Sequence, residues 1–215
     1  MSAATPKTIG ILAFQGDVIE HEKIIVALGH TPLQVRTARD LEACDALIIP
    51  GGESTTIGKL MVTYGLIKPI QTMIAKGMPV WGTCAGAILL ADEVLDHDSN
   101  THLMCATHEH TFNVCKPYCW IGGIAITVVR NAFGRQVDSF EEPIKIEEIK
   151  NSKNPFHAVF IRAPIIQKVG KGVTILSTLS DGTIVAARQK NILVTAFHPE
   201  ISGDTRMHEY FLGFR

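Results

Sequence analysis

Short apolar runs of strand length alternate with amphipathic stretches through the first half of the chain, and that alternation restricts the architecture more than any other feature. Thr8–Phe14 (TIGILAF) is rich in β-branched and apolar residues, and the amphipathic stretch from Val18 to Leu28 stops at Gly29. Leu33–Arg36 and Ala46–Ile49 repeat the strand signal. Ser54 can cap a helix running to about Tyr64, with Gly65 as its stop. A further helix covers roughly Pro69 to Ala75, and Pro79–Gly82 is the next strand. Strands separated by helices need crossovers, which predicts a mostly parallel sheet with helices on both faces.

The second half changes character. Ile121–Val129, Ile144–Ile146, Ala158–Ile161, Val173–Ser177, Ile184–Arg188 and Leu193–Phe197 read as strands with short links, as antiparallel additions to a central sheet would. A helix from Asp204 to about Phe214 closes the pattern. No repeat or low-complexity linker interrupts the 215 residues, so one domain over 1–215 is expected. Hydrophobic residues make up 46% and charged residues 19%, which excludes disorder and supplies a sizeable core. A net charge of −1 without a basic run argues against a nucleic-acid partner. No apolar run reaches the ~18 residues of a membrane span, and the start has no signal-peptide hydrophobic region. Five cysteines, an odd number beside an apolar core, point to free thiols and a cytoplasmic location.

One of those cysteines stands apart. In Val80-Trp-Gly-Thr-Cys-Ala-Gly-Ala-Ile-Leu-Leu90 an apolar strand stops at Gly82 and a helical pattern begins after Cys84. The spacing Gly82-x-Cys84-x-Gly86 is the cysteine counterpart of a nucleophile elbow. Glycines on either side let strand and helix pack closely while the thiol projects outward, toward the positive end of the helix dipole that favours a thiolate. A free cysteine is more often a small buried hydrophobe, and Cys44, without such a context, is read that way.

A nucleophilic thiol needs a base, distant in sequence and near in space. Of nine histidines, His198 is the best placed. It follows the strand Leu193–Phe197 and precedes Pro199-Glu200, where Glu200 can accept a hydrogen bond from the imidazole and fix its tautomer. Ile48-Ile-Pro-Gly-Gly-Glu-Ser-Thr55 ends another strand and begins a helix, the place where open α/β sheets bind ligands. Gly51 or Gly52, together with the N–H of Ala85, can hold an oxyanion. Arg130 and Arg162 follow strands, and either can grip a carboxylate.

Taken together, PGGEST at 50–55, WGTCAG at 81–86, RNAFGRQ at 130–136, FIRAP at 160–164 and FHPE at 197–200 resemble class I glutamine amidotransferases. More narrowly, the chain is similar to the glutaminase subunits of pyridoxal 5′-phosphate synthases. Leu12-Ala-Phe-Gln-Gly-Asp17, Asp204-Thr-Arg206 and His208 also fit, so the similarity runs from about Thr8 to Phe211. The resemblance implies a flavodoxin-like three-layer α/β/α sandwich with a mixed, mostly parallel sheet. It implies a triad of Cys84, His198 and Glu200, an oxyanion hole from Gly52 and Ala85, and no cofactor. L-glutamine would be held by Gly52, Glu53, Ser54, Arg130, Ile161 and Arg162. The implied partner is a (β/α)₈-barrel synthase subunit that takes the ammonia through a tunnel and activates the glutaminase on docking.

One stretch departs from the family pattern. An insert at about 95–120 holds His108-x-His110-x4-Cys115-x3-Cys119, a spacing that can hold zinc. It fits no standard finger, and Cys105 competes, so the segment is read as a surface loop rather than a metal site. Two other readings of the chain stay open: a glutaminase or γ-glutamyl hydrolase serving another pathway, and a non-enzymatic cysteine sensor on the same scaffold. The first gives no reason for RNAFGRQ and IRAP, and the second needs no His-Pro-Glu.

Overall fold

The computed structural model describes residues 5–96, 102–105, 120–130 and 139–214. In its first part β1 (Thr8–Leu12), α1 (Val18–Ala27), β2 (Thr31–Val35), α2 (Ala38–Glu42), β3 (Ala46–Ile49) and α3 (Ser54–Thr63) alternate. After α4 (Ile67–Ala75) come β4 (Val80–Thr83) and α5 (Ala85–Leu90). Strands then dominate: β5 (Ala91–Asp96), β6 (His102–Cys105), β7 (Ile124–Arg130), β8 (Ser139–Ile144) and β9 (Phe156–Ile161). They are followed by β10 (Ile165–Val169), β11 (Thr174–Thr178), β12 (Ile184–Gln189) and β13 (Ile192–Thr195). A 3₁₀ turn over Pro199–Ile201 and α6 (Arg206–Leu212) complete the order.

The main sheet runs β2-β1-β3-β4-β13-β12-β10-β7-β5-β6, with β11 on β12. Strands β2, β1, β3, β4 and β13 pair in parallel, as the expected crossovers require. Beyond β13 the additions are antiparallel, apart from the parallel β5–β7 pair. Alternation along each central strand divides the core in two. Ile9, Ile11, Ala46, Ile48, Trp81 and Leu193 face one side, where α1, α6 and the separate β8–β9 pair cover them. Leu12, Leu47, Ile49, Val80 and Val194 face the other, under α2, α3, α4 and α5. The result is the expected α/β/α sandwich.

Three local expectations need correction, and two elements were not anticipated. Ser54 does not cap α3. Glu53 does, its carboxylate accepting from the N–H groups of Thr55 (3.1 Å) and Thr56 (2.6 Å), because the helix starts one residue early and Ser54 is already its first helical residue. The strand expected at Ile144–Ile146 instead lies earlier, at Ser139–Ile144, paired with β9. Strand β10 and helix α2 lack a readable sequence signal; α2 has five residues, too few to show a period. The insert read as a surface loop also carries sheet, since β6 pairs antiparallel with β5. His108, His110, Cys115 and Cys119 lie outside the described residues.

Candidate active site

Cys84 sits between β4 and α5 with φ 45° and ψ −101°, a left-handed conformation that a non-glycine residue adopts only when its surroundings impose it. The surroundings here are the flanking glycines. A Cβ on Gly86 would stand 2.0 Å from the carbonyl oxygen of Ile49, and one on Gly82 2.4 Å from the carbonyl carbon of Gly86. Strand and helix therefore touch backbone to backbone, and the turn between them has no other way to run. The Cys84 amide is held by the carbonyl of Thr195 (2.8 Å), and Ala85 occupies the first position of α5, where a helix leaves the N–H without an internal partner.

His198 arrives from the adjacent parallel strand. Thr83 of β4 is in register with Thr195 of β13, so both chains leave the sheet on the same edge. The His198 amide donates to the carbonyl of Val159 (2.8 Å), which sets the start of the 3₁₀ turn. That turn brings Glu200 back toward the ring, and Glu200 Oε1 lies 2.7 Å from His198 Nδ1. A second carboxylate shares this nitrogen, since Asp17 Oδ2 is 3.2 Å away. Asp17 stands at the N-cap of α1 yet makes no capping hydrogen bond, its carboxylate being turned to the histidine instead. His198 Nε2, the other ring nitrogen, is buried with no hydrogen-bond partner.

The charges follow from this geometry. Burial alone would push the His198 pKa down, but the hydrogen-bonded carboxylates of Asp17 and Glu200 and the neighbouring Cys84 thiol outweigh it and raise the value to about 12. Its imidazolium is thus the resting form. The hydrogen bond to His198 holds the Asp17 carboxyl below its ordinary range. Burial pushes the Glu200 pKa up, against the lowering pull of His198.

A cavity of about 440 Å³ opens over these groups. Cys84, Ala85 and His198 line its floor, and Gly52, Glu53, Ser54, Arg130, Ile161 and Arg162 its walls. Of the residues expected to react or bind, Glu200 stays behind His198, and of the two glycines weighed as oxyanion donors it is Gly52 that lines the cavity. The Cys84 Sγ is 3.9 Å from the Ile161 carbonyl oxygen. Arg130 is already engaged, with Nη2 3.8 Å from Glu53 Oε1 and Nη1 3.4 Å from Thr55 Oγ1. Such a site can generate a thiolate beside an imidazolium, stabilise an oxyanion and orient a small carboxylate.

Four nearby residues have no specific role in the sequence reading, although Gln15, Asp17 and His208 lie in segments that fit the family. Gln15 accepts from the Glu53 amide through its side-chain oxygen (2.7 Å) and so braces the Gly51–Gly52 loop. Asp17 joins His198 as described. His21 and His208, both fully buried, stand behind Glu200. The available signal was a histidine in a core-facing slot: His21 is one turn from Ile25, and His208 sits between Met207 and Phe211. Among the described residues, Asp17, His198 and Glu200 are the group whose spacing suits a metal, with ligand atoms within 4.8 Å. Their mutual hydrogen bonding already accounts for that proximity.

A sequence model of the SNO glutamine amidotransferase family matches residues 11–214. The pyridoxal 5′-phosphate synthase subunit PdxT of Herpetosiphon aurantiacus is 52% identical over 206 residues, which cover 96% of this chain and 99% of that protein. Its counterpart from Corynebacterium jeikeium is 50% identical over 204 residues, 95% of this chain and 94% of that one. A crystal structure described as a glutamine amidotransferase superposes with a TM-score of 0.80 at 41% identity, over 95% of this chain and 96% of its own. A second glutamine amidotransferase structure, from Thermotoga maritima, shares the fold alone, with a TM-score of 0.60 at 12% identity over 98% of this chain and 82% of that one.

Proposed function

The chain belongs to the SNO glutamine amidotransferase family, and from that premise we propose that it is a glutaminase of pyridoxal 5′-phosphate synthesis. It hydrolyses L-glutamine to L-glutamate and ammonia, and the ammonia passes to a synthase subunit. The observation that carries this reading is the convergence of Cys84, Ala85, His198, Gly52 and Arg130 on one cavity. The names of the relatives at about half identity supply the pathway. The family resemblance of the motifs supplies the barrel form of the partner, the tunnel and a cytoplasmic setting.

The chemistry takes two steps. The Cys84 thiolate attacks the side-chain carbonyl carbon of glutamine, and the N–H groups of Gly52 and Ala85 hold the resulting oxyanion. His198 gives its Nε2 proton to the departing nitrogen, which leaves as ammonia from a γ-glutamyl thioester. Water then transfers a proton to His198 and attacks the thioester, releasing glutamate and restoring the thiolate. Glu200 keeps the imidazole in the tautomer that presents Nε2 to the sulfur. Arg130 and Arg162 hold the substrate carboxylate, with Glu53, Ser54 and Ile161 completing the wall.

Replacing Cys84 with alanine tests the assignment. In the complex with the synthase subunit, Cys84→Ala is expected to abolish glutamine-dependent pyridoxal phosphate formation while added ammonium salts still support it. Synthesis from glutamine by that variant would remove Cys84 from the mechanism.

A further inference from the structure

Behind the candidate site lies a buried polar chain that the proposed hydrolysis does not use. His21 on α1 and His208 on α6 are each fully buried, and His21 Nδ1 lies 2.9 Å from His208 Nε2. On its other side His21 Nε2 faces Glu200 Oε2 at 3.5 Å, with both side chains wholly buried. Neither of those two atoms has a hydrogen-bond partner in ordinary range, so each is the candidate partner of the other. Trp81 closes the apolar side, its ring edge-on to His208 at 4.9 Å and to His21 at 6.0 Å.

We infer that His21 and His208 form a strut that positions Glu200, and through it His198, for the glutaminase reaction; the inference rests on that functional reading. The hydrogen-bond directions are fixed by the carboxylate. Glu200 can only accept, so His21 donates from Nε2 and its Nδ1 is bare. That Nδ1 accepts from His208 Nε2–H, which leaves His208 Nδ1 unprotonated. This nitrogen is buried without a partner. Both rings are neutral in this arrangement. Burial agrees, lowering the His21 pKa well below normal and that of His208 to about 3. Glu200 is then held through both oxygens, one by His198 and one by His21, and its plane is locked.

A purely structural role for the pair is the weaker account. Two imidazoles with an unsatisfied nitrogen cost more to bury than apolar side chains of similar volume. Here the polar groups end on the one carboxylate that orients the base. The ionisable groups facing Glu200 are His198 and Asp17 on the cavity side and His21, backed by His208, on the core side.

The test uses the full chain in complex with the synthase subunit, with active sites counted by a thiol-directed glutamine analogue. His21→Leu is expected to lower kcat per active site by ~10–100-fold, by analogy with the loss of a hydrogen-bond partner that orients a metal-ligating histidine, with little change in KM for glutamine. Without the Nε2–H donor the Glu200 carboxylate loses support, so the acid limb of kcat/KM moves to higher pH. His21→Gln and His208→Gln, which can still donate at the Nε2 position, are expected to recover most of the rate. Nitrogen NMR of the imidazoles should show neutral Nε2–H tautomers for both rings. An unchanged kcat and pH profile in His21→Leu, or a charged or Nδ1–H ring at position 21, would overturn the strut. Inactivity of the unmodified complex, or activity of Cys84→Ala, would instead overturn the glutaminase reading on which it rests.

Discussion

At the scale of single residues, the site is a set of atoms with almost no room to move. Gly86 leaves no space for a methyl group against the Ile49 carbonyl, so Gly86→Ala is expected to destabilise the fold by at least about 1–3 kcal/mol, the cost of overpacking. Urea unfolding measures it. Asp17 helps keep His198 protonated, so Asp17→Asn should lower the pH at which the imidazolium deprotonates. Titration of the His198 ring by NMR would show it, and an unmoved midpoint would count against the contact. Because Asp17 makes no cap hydrogen bond, the same change should leave α1 intact. Cys84 and Ala85 were legible because the elbow is local: the run from Gly82 to Gly86 states the whole geometry. Asp17, His21 and His208 were not, because their meaning comes from partners up to 187 residues away and a lone histidine on an apolar face carries no label.

Helices and strands show a similar division between local and distant cause. The central strands were readable from β-branched runs because burial on both faces leaves a continuous apolar signal. Strand β8, SFEEPI, hides the same conformation under two adjacent glutamates and a proline, since half of it faces solvent. Helix α3 shows what a cap decides. Glu53 both satisfies two amides of its first turn and lies 3.8 Å from Arg130. Glu53→Ala is expected to cost about 1 kcal/mol as a lost cap and to raise the KM for glutamine by loosening Arg130. Glu53→Gln keeps an accepting oxygen, so thermal unfolding should separate the two variants while both disturb substrate binding. Equal stability in the two would mean that the carboxylate, rather than the cap, holds this turn.

Across the whole molecule, the buried imidazoles set how stability responds to pH. His21 and His208 have folded pKa values below the unfolded 6.5, so the stability tied to them is complete above pH 6.5 and is lost as pH falls, for His208 toward about 3. His198 has the opposite sign: its folded value is raised, so its contribution is complete below 6.5 and is lost as pH rises toward about 12. Stability measured by denaturant should therefore peak near pH 6.5, the unfolded value common to all three, and the double change His21→Gln, His208→Gln should flatten the acid side. A maximum well away from that value would mean that other groups dominate. The register that joins β4 to β13 reaches further still. It pairs Thr83 with Thr195, positions more than half the chain apart in sequence, so nucleophile and base meet only after one of the longest loop closures in the fold. In refolding from denaturant, reactivity of the Cys84 thiol as an ion pair should appear later than helical circular dichroism. The emerging chain on the ribosome would then carry an inert cysteine until its last strand has been made.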